Sequence, residues 1–429
     1  MSNTDYQAEK ERAYAYLDTI ADRIYGDADA VRETPELGFR EEKTSAFVEE
    51  RMRALGLYNV RRVALTGVAA ELFPPRDGEE RVCVIGELDA VLTPDCPYAD
   101  PRTGAAHTCG HCIQIAELLG VADALKNSGV AEALSGNVTF LAVPAEEFVD
   151  LEYREELRRA GKLQELSGKL ELLKEGFFDG FSCAMMVHAQ PDCPEAACFV
   201  DCNSLGFVAK TVRFRGRAAH AGGAPWDGIN ALNAAMAAMV CINAMRETFR
   251  DSDKIRVHPI ITKGGDLVNI VPADVTMETY VRGATPTAVA DASAKVDRAI
   301  RGAAYAVGAE VDIRDVGGYA PLAQDKKLSA LFAANARTFL PEDRILSGID
   351  MVGSTDMGDV SQALPAIQPT CGGYSGGAHG ADFRVTDARA AILLPTKLMT
   401  GTVIDLLGNG AELAGRIRRT FAQQHNKKG

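Results

Sequence analysis

The segment HTCGH, residues 107–111, sets two histidines and a cysteine within five positions of a chain that has only seven histidines in 429 residues. Thiolate and imidazole both suit borderline divalent metals, and a glycine between Cys109 and His111 favours a loop that opens the apolar helix IQIAELLGVADAL. The bland alternative is a loop whose polar side chains satisfy one another. PAEEF adds Glu146 and Glu147 at the end of the apolar run NVTFLAV. Adjacent carboxylates leaving a strand face opposite ways, so one can ligate a metal while its neighbour moves protons for an activated water. Taken alone, that pair reads more readily as the solvated start of the acidic segment EEFVDLEYREELRRAGK. His188 follows a further apolar run in MMVHAQPD, where a satisfied core histidine is the plain reading. His379 stands between glycines in YSGGAHGADF, where the backbone can approach another group closely.

These residues need elements to bring them together. Residues 6–56 read as helical with a break near Pro35, and the β-rich runs VRRVALTGVAAEL, RVCVIGELDAV, NVTFLAVPAEE and FSCAMMVHAQ follow, with a helix between the second and third. That alternation predicts an α/β fold whose mostly parallel sheet is covered by helices. Ligands collect at the carboxyl ends of such strands, where Glu87 with Asp89, Glu146 with Glu147, and His188 all fall. From about Asn203 the texture becomes β-α-β-β-α-β, an inserted α+β unit over 203–316, and residues 1–202 with 317–429 form the remaining domain.

A chain of 429 residues exceeds what one core usually serves, in agreement with two domains. The net charge of −13 disfavours a nucleic-acid partner or an anionic membrane, since phosphate neutralisation needs clustered Lys and Arg that no stretch here supplies. The polar start MSNTDYQAEKERAYAYL does not resemble a signal peptide, and no apolar run approaches the roughly 18 residues of a membrane span, so a cytoplasmic location is expected. The ten cysteines are scattered, and several, such as Cys83 and Cys241, sit in apolar runs that suggest buried, reduced thiols.

In this order the motifs resemble the aminoacylase/carboxypeptidase family of metallohydrolases, in its amidohydrolase branch with hippurate hydrolase, indole-acetyl-amino-acid hydrolases and aminobenzoyl-glutamate hydrolase. The likeness runs through TPELGFREEKTSAFV, GELDAV, HTCGH, PAEE, VHAQP, GRAAHAGGAPWDGINAL, GGDLVNIVPADV, VRG, GSTDMGDVSQALPAI and GGYSGGAHGADF. It implies metal ligands Cys109, His111, Glu147, His188 and His379, holding one or two ions of a divalent transition metal. Mn or Zn is expected, with Co or Ni also suited. It implies Glu146 as the catalytic proton carrier, Asp89 as a support of the metal ligands, and His107 beside the site, while Glu87 falls where some relatives have a ligand. In the inserted unit it implies that His220 stabilises an oxyanion and that Asn269 and Arg282 meet a substrate carboxylate. The same unit would act as lid and dimerisation domain, giving a homodimer. The chain departs from the pattern at Cys112 and Ile113 after CGH, at the insertion LTPDCPYADPRTGAA, and at GADF after His379.

The expected function is hydrolysis of a C–N bond in a small anionic substrate, foremost an amide of an acyl or aryl amino acid. The alternative is hydrolytic deamination of an amino-aromatic acid, as in a 5-nitroanthranilate-type aminohydrolase, which would release ammonia. A binding protein without chemistry is discouraged by the complete residue set. A dithiol redox enzyme is discouraged because Cys109 and Cys112 do not form a C-x-x-C pair.

Overall fold

The computed structural model describes residues 6–349, 351 and 353–425, and the chain divides into two units. The first comprises residues 1–203, 323–350 and 359–429, and the second 204–322 with 351–358. The basic C-terminal tail, which the sequence leads one to expect to fray, lies outside the described residues.

The first unit begins with three helices, α1 (Gln7–Thr19), α2 (Ala21–Arg32) and α3 (Glu42–Ala54). They are followed by β1 (Tyr58–Val63), β2 (Gly67–Glu71), β3 (Arg81–Glu87), the short hairpin β4 (Val91–Leu92) and β5 (Ala105–Ala106), and α4 (His111–Asn127). Next come β6 (Asn137–Val143), α5 (Leu151–Arg159), α6 (Gly168–Lys174), β7 (Cys183–Met185), β8 (His188–Ala189) and β9 (Cys198–Val200). Strands β2 and β6 are buried at every residue and β3 at all but its first, so they read as unbroken apolar runs rather than alternating ones.

The second unit holds β10 (Gly206–Arg215), α7 (Ala231–Ala244), β11 (Arg256–Lys263), β12 (Asp274–Gly283), α8 (Pro286–Ala306) and β13 (Glu310–Tyr319). Its antiparallel sheet runs β11-β12-β10-β13. Helix α8 starts where Thr285 accepts the Ala288 amide and Pro286 presets the first turn, and it buries Ala288, Ala292, Val296, Ile300 and Ala303 as one stripe. Within the first unit the chain resumes with α9 (Lys326–Ala336), β14 (Ile345–Ser347), β15 (Ala366–Ile367) and β16 (Thr370–Cys371). Its main sheet runs β1-β2-β6-β3-β7-β15, with β6, β3, β7 and β15 mutually parallel and β1 and β2 antiparallel. A second sheet, β14-β9-β16-β8, carries His188.

Three expectations require correction. The boundary after residue 316 would cut β13; Gly317 and Gly318 lie inside the strand, where a Cβ on Gly318 would come within 2.0 Å of the Phe207 carbonyl oxygen. The pair is there for close approach across the sheet and not for a turn. An apolar helical stretch long enough to cross a membrane does exist, Arg389–Leu407, but it is buried in the first unit's core. Finally, Cys241 is exposed. Helix α7 has only Asn233 and Asn243 as polar residues yet buries only the stripe Ala231, Ala234, Ala235, Ala238 and Ile242, which leaves Met236, Val240 and Cys241 outside.

Candidate metal centre and active site

Strand β3 ends in Glu87, and two residues later Asp89 is also fully buried. The parallel neighbour β6 ends at Val143 and delivers Glu146 and Glu147. The loop 107–110 precedes α4, with Gly110 at φ 90° as the residue before the helix, so His111 occupies the first helical turn. A Cβ on Gly110 would lie 2.9 Å from that of Ala189, so the glycine brings the Cys109 loop against β8, which carries His188. His379 adopts φ 62° and donates its amide to the Thr108 carbonyl at 2.9 Å, which ties the glycine-rich segment to the same loop.

Side chains far apart in sequence therefore converge. The potential ligand atoms of Cys109, His111 and His188, of Cys109, Glu147 and His379, and of Glu87, His111 and Glu146 lie within 4.8 Å of one another in each trio. Cys109 Sγ is 3.5 Å from His188 Nε2, His379 Nε2 is 3.0 Å from Glu147 Oε1, and His111 Nε2 is 3.0 Å from Glu87 Oε2. The two buried rings are oriented from behind. His111 Nδ1 donates to the Asp89 carbonyl at 2.8 Å and His188 Nδ1 donates to the Ala189 carbonyl at 2.9 Å, so each presents Nε2 to the centre. Asp89 Oδ2 accepts the Glu147 amide at 2.9 Å.

The electrostatics have the same focus. Burial pushes the Cys109 thiol well above its ordinary value, and the charges of Glu147 and Glu146 reinforce it. Burial opposes a charge on His111, but Glu87, Cys109 and Asp89 outweigh it and raise the ring well above the usual histidine range. Glu147 raises His379, outweighing its burial. His107 is different. Burial and the charge of His111 push its ring down to about 3 against the pull of Asp89, and neither ring nitrogen has a hydrogen-bond partner.

Residues 83–402 match the model of peptidase family M20/M25/M40. The chain belongs to this family. It is 30% identical over 386 residues to the Xaa-Arg dipeptidase of Mus musculus, across 86% of this chain and 80% of that protein. It is 28% identical to the indole-3-acetyl-aspartic acid hydrolase of Enterobacter agglomerans, across 67% and 65% respectively. The solved structure of a dinuclear metal-binding M20 peptidase from Bacillus subtilis superposes with a TM-score of 0.70 at 19% identity, covering 91% of this chain and 99% of that one. The resemblance read from the motifs is thus correct, and the chain is a metal-dependent hydrolase of the amidohydrolase and peptidase type.

The residues present fit a metal. His111 Nε2 and Glu147 Oε1 are buried without a hydrogen-bond partner although they stand 3.0 Å from Glu87 Oε2 and His379 Nε2 respectively. Lone pairs arranged this way are unfavourable unless a cation or proton stands among them. Thiolate, imidazole and carboxylate together suit a borderline transition ion.

The first unit brings Asp89, Cys109, His111, Glu146, Glu147, His188 and His379 together, while His220, Asn269 and Arg282 lie in the second. There His220 Nδ1 accepts the amides of Gly222 and Gly223 at 3.2 and 2.9 Å, so in the neutral ring the proton sits on Nε2. The Ala221 amide bonds the Asn269 carbonyl at 2.9 Å, which places Asn269 beside His220. Arg282 stands apart on β12, donates to Ser354 Oγ at 2.7 Å and lies over the rings of Phe207 and Tyr280. Of the departures, Cys112 and Ile113 belong to the hydrophobic core, and the insertion forms the β4–β5 hairpin beside a cavity of about 700 Å³ that includes Tyr98, Arg102 and Arg40.

Sequence reasoning assigns no role to three buried residues around the site, of which Glu41 and Arg154 hold the PAEE loop. Ala145 has φ 57°. Its amide donates to Glu41 Oε1 at 2.9 Å, and Arg154 Nη1 donates to its carbonyl at 3.1 Å while Nη2 bonds that of Glu147. Gly38 of the ELGF motif makes room, since a Cβ there would come within 2.2 Å of Arg154 Nη2 and 2.8 Å of Ala145 Cα. Burial and the Asp89 charge push Glu41 up to about 8. Lys169, the third, is fully buried against Glu87. A signal for Arg154 and Lys169 is lacking, because both sit in segments with ordinary amphipathic texture.

Proposed function

We propose that the protein hydrolyses the amide bond of a small anionic substrate in which an acyl or aryl group is joined to an amino acid. The observation that carries this reading is the convergence of Cys109, His111, Glu147, His188 and His379 with Glu146 at the ends of buried elements. These five side chains would hold one or two divalent ions, Mn or Zn foremost; the metal would supply Lewis acidity and a water that ionises near neutral pH. Glu146 then accepts a proton from the attacking water and passes it to the departing amine. His220 Nε2–H is a donor for the developing oxyanion, and Arg282 and Asn269 are suited to the substrate carboxylate. His107, neutral and unpartnered, is suited to the substrate's polar end. Relatives that cleave dipeptides or an indole-acetyl conjugate support the amide over other C–N bonds.

The homodimer belongs to the same proposal, with the apolar outer face of α7, where Met236 and Val240 are exposed, as the surface covered by a second copy. A cytoplasmic setting, a small-molecule partner and the absence of membrane or nucleic-acid partners complete it. The test is product analysis with and without chelator on N-acyl amino acids, dipeptides and aminobenzoates. Chelator-sensitive release of an amino acid supports amide hydrolysis, whereas ammonia from an aminobenzoate, with no amino acid from any amide, replaces it by deamination.

A further inference from the structure

The trio Glu87, His111 and Glu146 would by distance alone admit Glu87 as a metal ligand. What surrounds Glu87 argues otherwise. Lys169 Nζ lies 2.5 Å from Glu87 Oε1, and both side chains are fully buried. Glu87 Oε2 accepts from Gln114 Nε2 at 2.9 Å, and the Glu87 amide donates to Gln114 Oε1 at 3.1 Å. One oxygen is thus neutralised by an ammonium, the other, 3.0 Å from His111 Nε2, is held by an amide, and the backbone closes the loop with the same glutamine.

The position of Lys169 is itself built in. Ser167 accepts the Leu170 amide to start α6, and a Cβ on Gly168 would sit 2.0 Å from the Pro144 carbonyl oxygen. Only glycine permits the first turn of α6 to press on the PAEE loop this closely, and the next residue is Lys169. A buried charge is tolerated when paired, and a carboxylate already paired with an ammonium has little left to offer a cation.

We propose that Lys169 is a counter-cation that withdraws Glu87 from the ligand set, leaving Glu87 to hold Gln114 beside the centre instead of binding metal. Lys169 is accordingly a positioning residue, and this inference rests on the metal-centre reading above.

The test uses chelator-stripped full-length protein: wild type, Lys169→Arg, Lys169→Met and the neutral pair Lys169→Met with Glu87→Gln. Ions per protomer are counted by elemental analysis, and Zn and Mn affinities are measured by competition with a chromogenic chelator. The neutral pair keeps the wild-type ion count and affinity, and so does Lys169→Arg. Lys169→Met alone leaves the Glu87 charge uncompensated beside the centre and tightens binding by about tenfold or more. Loss of an ion in the neutral pair overturns the proposal, because Glu87 would then be a ligand. Wild-type affinity in a folded Lys169→Met variant overturns it too, because Lys169 would then only pack. If Lys169→Met does not fold, the neutral pair carries the test alone. A wild type that takes up no metal fails the metal-centre reading itself, whereas a loaded wild type beside a depleted neutral pair fails only this inference.

Discussion

Asp89 touches two candidate ligands at once: Oδ1 lies 3.3 Å from His111 Nδ1, and Oδ2 accepts the Glu147 amide at 2.9 Å. Burial raises its carboxyl, but the His111 contact, the Arg154 charge and the Glu147 amide outweigh burial and hold it below the usual range, so it is ionised. An anion behind the imidazole orients the ring and strengthens it as a donor. Asp89→Asn keeps the shape and removes the charge. It should cost about 10- to 100-fold in metal affinity with an unchanged circular dichroism spectrum, as measured by elemental analysis after dialysis against a metal buffer. Undiminished affinity would deny Asp89 this role.

Metal uptake should release protons. The Cys109 thiol is pushed well above its ordinary value by burial and by Glu147, and the His111 ring is raised by Glu87 and Cys109 in spite of burial. Both must lose their protons to bind a cation, so protons compete with metal at low pH and apparent affinity climbs as pH rises. Calorimetric titration with Zn in buffers of different ionisation enthalpy should report net proton release. Cys109→Ser, with a far poorer donor, should lower Zn affinity; unchanged binding would remove Cys109 from the ligand set.

The ends of the buried strands are legible because their texture changes abruptly. The middles of β3 and β6 are apolar, so carboxylates at or just beyond their ends stand out, and parallel pairing then forces Glu87 and Asp89 beside Glu146 and Glu147. The order β-α-β-β-α-β over 206–319 is legible for the same reason, each element having its own period. Arg154 and Lys169 are not. In LEYREELRRAGK and GKLELLK a buried cation looks like its solvated neighbours, and only contact with a loop formed elsewhere in the chain distinguishes it. Cys241 misleads in the opposite direction, since an apolar neighbourhood in sequence says nothing about which side of a helix meets a sheet. The second domain boundary falls short because the strand that closes the inserted sheet runs through Gly317 and Gly318 to Tyr319, and a glycine pair carries no side-chain alternation by which to follow it.

Glu117, in the middle of α4, gives a stability test away from the site. It is 2% exposed, Oε2 has no hydrogen-bond partner, and burial raises its carboxyl well above the ordinary value. Folded Glu117 keeps its proton over a range where the unfolded chain has lost it. Its contribution is therefore fully present below the unfolded value near 4.5 and declines as pH rises toward the folded one, by at most about 1.4 kcal/mol per pH unit. Glu117→Gln removes the titration while keeping shape. Urea unfolding at pH 5 and pH 8 should show the variant gaining on the wild type at the higher pH; a constant difference would contradict the assignment.

The PAEE loop offers a way to separate strain from positioning. Ala145 is held at φ 57°, a conformation that is costly for a residue with a Cβ, and Glu41 and Arg154 hold it there through its amide and carbonyl. Ala145→Gly removes that cost in the folded state but also loosens the unfolded chain, so stability should change by less than about 1 kcal/mol while activity persists. Arg154→Met leaves the carbonyls of Ala145, Glu147 and Leu166 without their donor inside the protein. Each buried acceptor left unsatisfied costs about 1–3 kcal/mol, so the variant should lose several kcal/mol in urea unfolding. Where it remains folded, kcat should fall more than KM rises, because Glu146 lies one residue from the released Ala145 and proton transfer depends on its placement. If Arg154→Met loses stability yet keeps kcat, the guanidinium supports the fold alone and the geometry of Glu146 is set by Glu41 and Ala145.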